Sequence, residues 1–507
     1  MDRRVRFPGG LIVALSCLIV AACAAQDRGP AAPARSSPPA SGAVESQQGV
    51  DFIAPRLERG TGGELYLLWL AVQWQKSWEL LFSRSEDRGH TWSTPRPVRQ
   101  NTNTTAWGHR LAVGPDGQLY AAWRSVTPPK SPRRIMFARS GDGGRTWEET
   151  PQALNATSDH ESLPWLFADR RGGVAVAWTF GIGNTRKLAL KISRDGGKNF
   201  TPDAIQLTPA TASGEGIVNP SFAMDPEDRL YVAWQERTVV GESAIYLNRS
   251  SDMGQTWWQQ PVRLNFQADD VAYRGQHPQI LAAAGGQVYV AWQELEWIES
   301  SEGKRKSPMP DRVLHLNRSL DGGEHWLAKP VRLSETSLSR FFASSPVLHA
   351  AENGKAFIAW YEEQEAGGLV LLGSRSEDAG ATWSAPVRLR ALLGDEREAV
   401  LVEPRLEGDE QGRLVLLWQE RKSQKEGWQL MLLRSADGGT TWQQPPTPID
   451  QSARASRTRL STVLSHDDRG ALYAVRDQGL PGGEALFFSR SLDGGVTWER
   501  RAITRTP

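Results

Sequence analysis

The sequence predicts an all-β fold, an eight-bladed β-propeller with four antiparallel strands in each blade. A turn motif of the form Ser-x-Asp-x-Gly-x-Thr-Trp occurs eight times in the 507 residues, at intervals of 53 to 69 residues. A period of that size indicates a repeat architecture. Short runs rich in β-branched and aromatic residues lie between the copies, and turn residues separate them. Four such runs for each copy correspond to one propeller blade.

The first residues predict an export signal. Three arginines lie within the first six residues, and the apolar stretch 11–20 that follows is too short to span a membrane comfortably. The sequence then reads Val-Ala-Ala-Cys, which resembles a bacterial lipobox. That resemblance implies a signal peptide over residues 1–22 and a lipid on Cys23. Ala24 in place of aspartate favours the outer membrane, on either face. A plain secretory signal or an uncleaved anchor remains the alternative.

Residues 23–50 are rich in Ala, Pro, Ser and Gly and have no apolar periodicity, so we expect a disordered tether there. The propeller is then expected over residues 51–507. Both cysteines of the chain precede it, so it has no disulfide. The 59 basic and 58 acidic residues nearly balance, which argues against nucleic acid as a partner.

The fourth repeat shows the expected order of strands, at 218–224, 230–234, 244–249 and 260–264. Across the chain, the second strand begins ten residues after a fixed position in the first strand, which is proline in six repeats. A tryptophan follows four residues later in seven repeats, and Arg476 takes its place in the eighth. This constant register predicts eight equivalent blades. The prolines are expected near the start of their strands.

The turn motif is expected to shape the hairpin between the third and fourth strands. Its aspartate can accept hydrogen bonds from turn amides, and its glycine adopts a conformation that other residues resist. The eight aspartates are Asp87, Asp142, Asp195, Asp252, Asp321, Asp378, Asp437 and Asp493. They lack the additional carboxylates of a calcium loop, so we expect neither a metal nor a cofactor.

The motif resembles the Asp-box, or BNR repeat, of sialidases and related propellers, and the resemblance covers residues 51–507. It implies a functional face opposite the turn motifs. In sialidases that face carries an arginine triad, a Tyr-Glu nucleophile pair and an acid/base aspartate. This chain has no Arg-Ile-Pro sequence, and its nearest equivalent is Ala54-Pro55-Arg56-Leu57. It also has eight repeats rather than the six of sialidases. These departures favour a binding or scaffold propeller, with a sialidase-like glycoside hydrolase as the alternative.

One cluster of candidate ligand-binding residues is predicted where blades 7, 8, 1 and 2 meet. Arg56, Arg110 and Arg405 follow the fixed first-strand position of their blades, and blade 8 adds Arg459. Guanidinium groups bind carboxylates well, so this arc could hold an anionic glycan. Alternatively, these arginines form salt bridges between blades with the glutamates that follow the repeat tryptophans. Those glutamates are Glu236, Glu294, Glu362 and Glu420.

A second cluster precedes blades 5 and 6 and consists of Tyr273, Arg274, His277 and Arg340. A nucleophilic tyrosine needs a carboxylate base nearby, for which Glu236 is the candidate. Tyr273 could instead be a surface residue that stacks on or hydrogen bonds to a ligand. Trp107 and His109 are expected on the same face, where an aromatic ring suits sugar binding.

Together these features predict a monomeric, lipid-anchored propeller of the cell envelope that binds a glycan or an envelope protein. Its membrane contact is expected to be the lipid. The chain begins on a first strand and ends on a fourth. The ring must then close by packing between blades 8 and 1, and we expect this junction to open first.

Overall fold

Eight sheets of four consecutive antiparallel strands form the molecule in the computed structural model, which confirms the eight-bladed β-propeller. The structure describes residues 51–505, which lie within one compact unit, Gln47–Pro507. Segments outside the description are 74–76, 100–103, 127–132, 157–160, 183–184, 208–215, 238–242, 266–273, 297–310, 335–343, 364–368, 393–399, 410, 422–427, 450–461, 468 and 481–482. The expected signal peptide and tether, including Cys23, also lie outside it.

Each blade is numbered in chain order and takes four successive strands. Blades 1 to 4 comprise β1 (Asp51–Arg59), β2 (Leu65–Gln73), β3 (Ser77–Ser85), β4 (Arg96–Pro97), β5 (Trp107–Val113), β6 (Leu119–Ser125), β7 (Arg134–Ser140), β8 (Gln152–Ala153), β9 (Trp165–Ala168), β10 (Val174–Phe180), β11 (Lys187–Ser193), β12 (Ile205–Leu207), β13 (Ile217–Met224), β14 (Leu230–Arg237), β15 (Ser243–Ser250) and β16 (Val262–Arg263).

Blades 5 to 8 repeat the arrangement. They comprise β17 (Gly275–Ala282), β18 (Val288–Glu296), β19 (Asp311–Ser319), β20 (Val331–Arg332), β21 (Ser344–Ala350), β22 (Ala356–Glu363), β23 (Leu369–Ser376), β24 (Val387–Leu392), β25 (Val400–Gly408), β26 (Leu414–Arg421), β27 (Gln429–Ser435), β28 (Thr447–Pro448), β29 (Thr462–His466), β30 (Leu472–Leu480), β31 (Gly483–Ser491) and β32 (Glu499–Arg505). Single-turn 3₁₀ helices at Pro115–Gly117 and Ala284–Gly286 lie in first-to-second-strand turns.

The second strand of each blade forms the core. It is apolar along nearly its whole length because neighbouring blades cover both of its faces. The repeat tryptophans are all buried, and six of them are at most 1% exposed. These six are Trp69, Trp123, Trp234, Trp292, Trp360 and Trp418. Within the described ranges, no helix is long and apolar enough to cross a membrane.

The turn motif builds the same hydrogen-bonded loop in each blade. In the last copy, the Ser491 hydroxyl donates to Asp493 at 2.7 Å, and the Thr497 hydroxyl donates to the same carboxylate at 2.6 Å. The Gly495 N–H donates to the Ser491 hydroxyl at 2.7 Å. Burial alone would raise the pKa of Asp493, but the hydrogen bonds from Thr497 and Ser491 outweigh it and lower the pKa to about 2. The aspartate thus accepts hydrogen bonds from both ends of its turn.

Aromatic contacts join successive blades on the side of the turn motifs. Phe82 of blade 1 meets Trp147 of blade 2 edge to face, with ring centroids 5.3 Å apart. The ring closes with the same contact, because Phe488 of blade 8 meets Trp92 of blade 1 at 5.0 Å. The Arg490 guanidinium also donates to the Arg88 carbonyl across this junction, at 3.3 Å. Closure therefore uses packing between whole blades, as predicted.

The innermost strand of most blades contains a β-bulge at the fixed position. The sequence predicted instead that the proline at this position lies near the start of a regular strand. Register shifts occur at this position in blades 1, 2, 4, 5, 6 and 7. Ala54, Gly108, Asn219 and His277 adopt positive φ angles of 54°, 60°, 48° and 52° there. The bulge interrupts the ladder with an unpaired residue, so a proline, which has no N–H, is accommodated within the strand.

Candidate functional site

The predicted functional face lies at the end of each blade opposite the turn motifs. Adjacent strands are antiparallel, so the second-to-third-strand loops and the connections between blades share this end. Most of those segments lie outside the description, including Tyr273, Arg340 and Arg459. The described candidates are mainly on the innermost strands, next to the bulges.

Blades 1 and 2 bring three of these side chains together with one further residue, Glu58, and we call Arg56, Glu58, His109 and Arg110 the blade 1–2 cluster. The Arg56 guanidinium donates to the Pro55 carbonyl at 3.0 Å. His109 donates from Nε2 to the Ala54 carbonyl at 2.7 Å, so its ring is held against the bulge of blade 1. Arg110 donates to the Pro164 carbonyl of blade 3 at 3.2 Å. Each bond ties a side chain to backbone at a fixed first-strand position, which holds the cluster in place.

Burial dominates the electrostatics of this cluster. It raises the pKa of Glu58 to about 7, although the charges of Arg56 and Arg110 oppose that shift. It also lowers the pKa of His109 to about 3, in the same direction as the Arg56 charge. His109 is therefore neutral at physiological pH, and Glu58 titrates close to it. The cluster carries a net positive charge.

Another predicted residue of the arc, Arg405, lies on β25 of blade 7. Arg405 is exposed in blade 7, and its guanidinium donates to the Pro404 carbonyl at 3.2 Å, as Arg56 does at the equivalent place. Among the described hydrogen bonds, none joins Arg405 to Arg56 or Arg110. Arg476, which replaces the repeat tryptophan in blade 8, is buried. The structure thus brings together the arginines of blades 1 and 2 from the predicted arc.

The second predicted cluster is described only in part. Arg274 is exposed, and its carbonyl accepts the Leu295 N–H at 3.3 Å. His277 occupies the bulge of blade 5, where burial lowers its pKa and the charges of Arg312 and Arg237 act in the same direction. His277 is therefore held neutral beside basic groups. This arrangement parallels His109 in blade 2.

The glutamates that follow the repeat tryptophans have a role that the sequence analysis missed. Each accepts the indole N–H of its own tryptophan: Trp234 to Glu236 at 3.3 Å, Trp292 to Glu294 at 2.8 Å, Trp360 to Glu362 at 2.9 Å and Trp418 to Glu420 at 2.9 Å. Glu236, the candidate base, is 0% exposed. The constant Trp-x-Glu spacing was the available signal for this role.

Trp107 lies at the start of β5 and is partly buried rather than fully exposed. Its ring meets Trp78 of blade 1 at a centroid distance of 4.9 Å and an angle of 60°. The two indoles form an aromatic pair beside the strand that carries His109 and Arg110. Over the described part of the chain, no group of three or more His, Cys, Asp or Glu side chains is placed to hold a metal ion.

Glu58 is the residue of the cluster that the sequence analysis missed. The available signal was the sequence Pro-Arg-Leu-Glu, which occurs in the first strands of blades 1 and 7. In blade 7 its glutamate is Glu407, which lies 2.9 Å from His466 of blade 8. Both glutamates therefore face the following blade, next to a basic or titratable group.

No protein-family model matches the sequence, and no curated protein matches it. Solved structures similar in fold include an ulvan lyase, a polysaccharide lyase, at 13% identity and a TM-score of 0.47 over 79% of this chain and 93% of that one. A Hadza microbial sialidase has 15% identity and a TM-score of 0.39 over 74% and 76%. A protein of unknown function from Dyadobacter fermentans DSM 18053 has 14% identity and a TM-score of 0.38 over 64% and 92%. These likenesses are too low to carry an argument about what this chain does.

Proposed function

We propose that this chain is a non-catalytic propeller that binds an anionic glycan at the blade 1–2 cluster. The observation that carries the proposal is the placement of Arg56 and Arg110 on adjacent inner strands, both close enough to Glu58 to act on its charge. We also propose that a lipid on Cys23 holds the propeller at the cell envelope as a monomer. Fractionation of a Cys23→Ser variant tests the anchor, and its presence in the soluble fraction is the expected result.

The cluster suits an acidic sugar for two reasons. Guanidinium groups present planar, fixed donors that match carboxylate and sulfate oxygens, and their charge strengthens those hydrogen bonds. The Trp78–Trp107 pair adds an aromatic surface on the same two blades, which suits the apolar face of a sugar ring. A glycan that carries uronate or sulfate groups combines both requirements.

Calorimetric titration with an oligogalacturonate, and with neutral maltohexaose for comparison, tests the proposal. We expect binding of the acidic oligosaccharide and a loss of about tenfold or more in affinity in Arg56→Ala and Arg110→Ala. Arg145→Ala removes the same charge from an exposed side chain on the turn-motif face and should bind as the wild type does. Equal binding by all three variants would contradict the proposal.

The affinity should also depend on pH. Burial raises the pKa of Glu58 to about 7, so acidification from pH 8 to pH 6 protonates this carboxyl and makes the cluster more positive. The acidic oligosaccharide should therefore bind more tightly at pH 6. Glu58→Gln should bind equally at the two pH values.

The sialidase-like hydrolase is the alternative, and the burial of Glu236 argues against it. A catalytic base must reach its partner, whereas this carboxylate accepts the Trp234 N–H inside blade 4. We expect the purified chain to release no sialic acid from a fluorogenic sialoside. Release that is abolished by Tyr273→Phe would establish the hydrolase instead.

A further inference from the structure

The second residue of each second strand forms a repeated feature that we call the plug position. It holds tyrosine or phenylalanine in six blades and a small residue in two. The aromatic plugs are Tyr66, Tyr120, Tyr231, Tyr289, Phe357 and Tyr473, and the exceptions are Ala175 in blade 3 and Val415 in blade 7. The small side chains of these two residues affect the size of the cavity between their blade and the following one.

The aromatic side chain at the plug position of one blade fills the space between that blade and the following one. A methyl group placed on Gly117 or Gly143 of blade 2 would lie 3.7 or 3.9 Å from the Tyr66 hydroxyl of blade 1. A methyl group on Gly196 of blade 3 would lie 3.5 Å from the Tyr120 hydroxyl of blade 2. The phenol therefore ends between the first turn and the turn motif of the following blade.

Val415 leaves this space open between blades 7 and 8. The glycines of blade 8 that correspond to Gly117 and Gly143 are Gly470 and Gly494, and both line a cavity of about 590 Å³. A methyl group on Gly494 would meet no atom within 4 Å. The missing aromatic ring therefore explains the position of the cavity.

Two other junctions follow the same rule. Phe357 leaves a cavity of about 10 Å³, which is lined by the equivalent glycines Gly412 and Gly438 of blade 7. Blade 3, whose plug residue is Ala175, is followed by a cavity of about 270 Å³, which is lined by the equivalent residues Asp228 and Met253 of blade 4. The space between blades thus grows when the plug ring is lost.

One end of the large cavity can bind a hydroxyl group. In blade 4, the Tyr231 hydroxyl donates to Asp225 at 2.9 Å, and Arg229 donates to the same oxygen at 2.6 Å. Blade 7 keeps the matching acid and base, because Arg413 donates to Asp409 at 2.5 Å. The Asp225 side chain is 0% exposed beneath its tyrosine, whereas that of Asp409 is 18% exposed in the cavity wall. Asp409 is therefore placed to accept a hydroxyl from a ligand.

Another part of the wall is basic. Arg434 lines the cavity, and its partner among the described residues is the neutral amide of Gln443. The equivalent arginines of five other blades have carboxylate partners, in the pairs Arg84–Glu86, Arg139–Glu148, Arg249–Glu324, Arg375–Glu377 and Arg490–Glu499. Arg434 therefore offers a charge that an anionic group on a ligand can neutralise.

We propose that the cavity between blades 7 and 8 binds a small aromatic ligand, with a phenolic hydroxyl on Asp409 and an anionic group facing Arg434. Its ring would occupy the space that tyrosine fills in blades 1, 2 and 4. The remaining wall supplies the apolar side chains Val415, Leu472 and Trp442. A cavity of this volume lies within the range of ligand pockets. This site is on the turn-motif face and is independent of the proposed glycan site.

Titration of the purified full-length chain with 4-hydroxyphenylacetate tests the proposal, by calorimetry or by ligand-observed NMR. Phenylacetate lacks the hydroxyl and 4-hydroxybenzyl alcohol lacks the charge, and each should bind about tenfold more weakly. Val415→Tyr restores the plug and should abolish binding while raising the melting temperature. Val415→Phe reproduces the arrangement of blade 6 and serves if the tyrosine variant fails to fold.

The Arg434→Gln variant tests the contact with the anionic group separately from the contact with the hydroxyl group. It should weaken 4-hydroxyphenylacetate about tenfold and leave 4-hydroxybenzyl alcohol unchanged. Arg56→Ala should bind the phenolic acid as the wild type does, so failure of the glycan proposal would leave this one standing. Undiminished binding in Val415→Tyr, or no binding at millimolar 4-hydroxyphenylacetate, would overturn the proposal.

Discussion

The hydrogen bond from a repeat tryptophan to the glutamate two residues later occurs in different electrostatic surroundings in different blades. Glu294 and Glu420 both accept the N–H of the tryptophan two residues earlier. Burial raises the pKa of Glu294 to about 7, with the bond from Trp292 as the main opposing influence. Glu420 instead forms a bidentate pair with Arg390, at 2.7 and 2.9 Å. The two glutamates therefore share the hydrogen bond within the motif and differ in that Glu420 has an ionic partner from the preceding blade.

The raised pKa of Glu294 predicts a pH-dependent stability. An unfolded glutamate ionises near pH 4.3, so between about pH 4.3 and 7 the native state binds the additional proton. Stability is therefore lost as the pH rises through this window. Glu294→Gln retains an acceptor for Trp292 and should raise the melting temperature more at pH 8 than at pH 4.5, as measured by circular dichroism.

Glu420→Gln is the matched control for that substitution. It keeps the acceptor for Trp418 but removes the charge that Arg390 pairs with, so it should lower the melting temperature at pH 8. If both substitutions stabilised the protein to the same extent, the hydrogen bond from the indole, and not the ionic surroundings, would determine how these glutamates affect the melting temperature.

At the scale of the strand, the β-bulges concentrate backbone strain beside the candidate site. Ala54 has a φ of 54°, a region in which a side chain costs about 1–2 kcal/mol. The equivalent residue in blade 2 is Gly108, which adopts this conformation without that cost. Blade 1 therefore bears a strain at the carbonyl that His109 binds.

Ala54→Gly should relieve this strain and raise the free energy of unfolding in urea by about 1 kcal/mol. The reverse change, Gly108→Ala, should destabilise the fold, because its Cβ would lie 2.5 Å from the Leu163 side chain and its φ is 60°. A destabilised Ala54→Gly variant would show that the alanine methyl contributes more to packing than the strained conformation costs.

At the scale of the ring, closure uses an aromatic contact of the kind that also joins blades 1 and 2 and blades 2 and 3. Phe488→Ala removes the contact with Trp92, and Phe137→Ala removes the equivalent contact with Phe200 between blades 2 and 3. Each should cost about 3–5 kcal/mol of stability.

If the junction of blades 8 and 1 opens first, only the Phe488 variant should also increase amide exchange along β1 and β31. Hydrogen exchange with mass spectrometry measures this difference. Equal exchange profiles for the two variants would mean that the closing junction opens no more readily than the others.

The ring itself was predictable because its determinants repeat. Each turn motif follows a repeat tryptophan such as Trp234 at a similar spacing in the sequence. This regularity is compatible with few folds other than a ring of four-stranded blades. The bulges were not predictable, because the sequence shows a proline in the first strand but not whether it follows a left-handed residue such as His277. That depends on how the innermost strands curve round the axis.

The sites were less predictable for a related reason. The pKa of Glu58 depends on burial among side chains from two blades, and no pattern within one repeat encodes it. Val415 is conspicuous only when the repeats are aligned and the path of the tyrosine ring is known. In both places the informative residues depart from the repeat, and their meaning comes from the neighbouring blade.

Each sheet takes its four strands from one uninterrupted stretch of chain, including the sheet that closes the ring. In genetic terms, the blade and the coding repeat therefore have the same boundaries. Tandem duplication or loss of one such segment would insert or remove a complete blade without dividing a sheet. Unequal recombination can therefore change the number of blades one at a time. A residue such as Val415 can then diverge in one copy of the repeat.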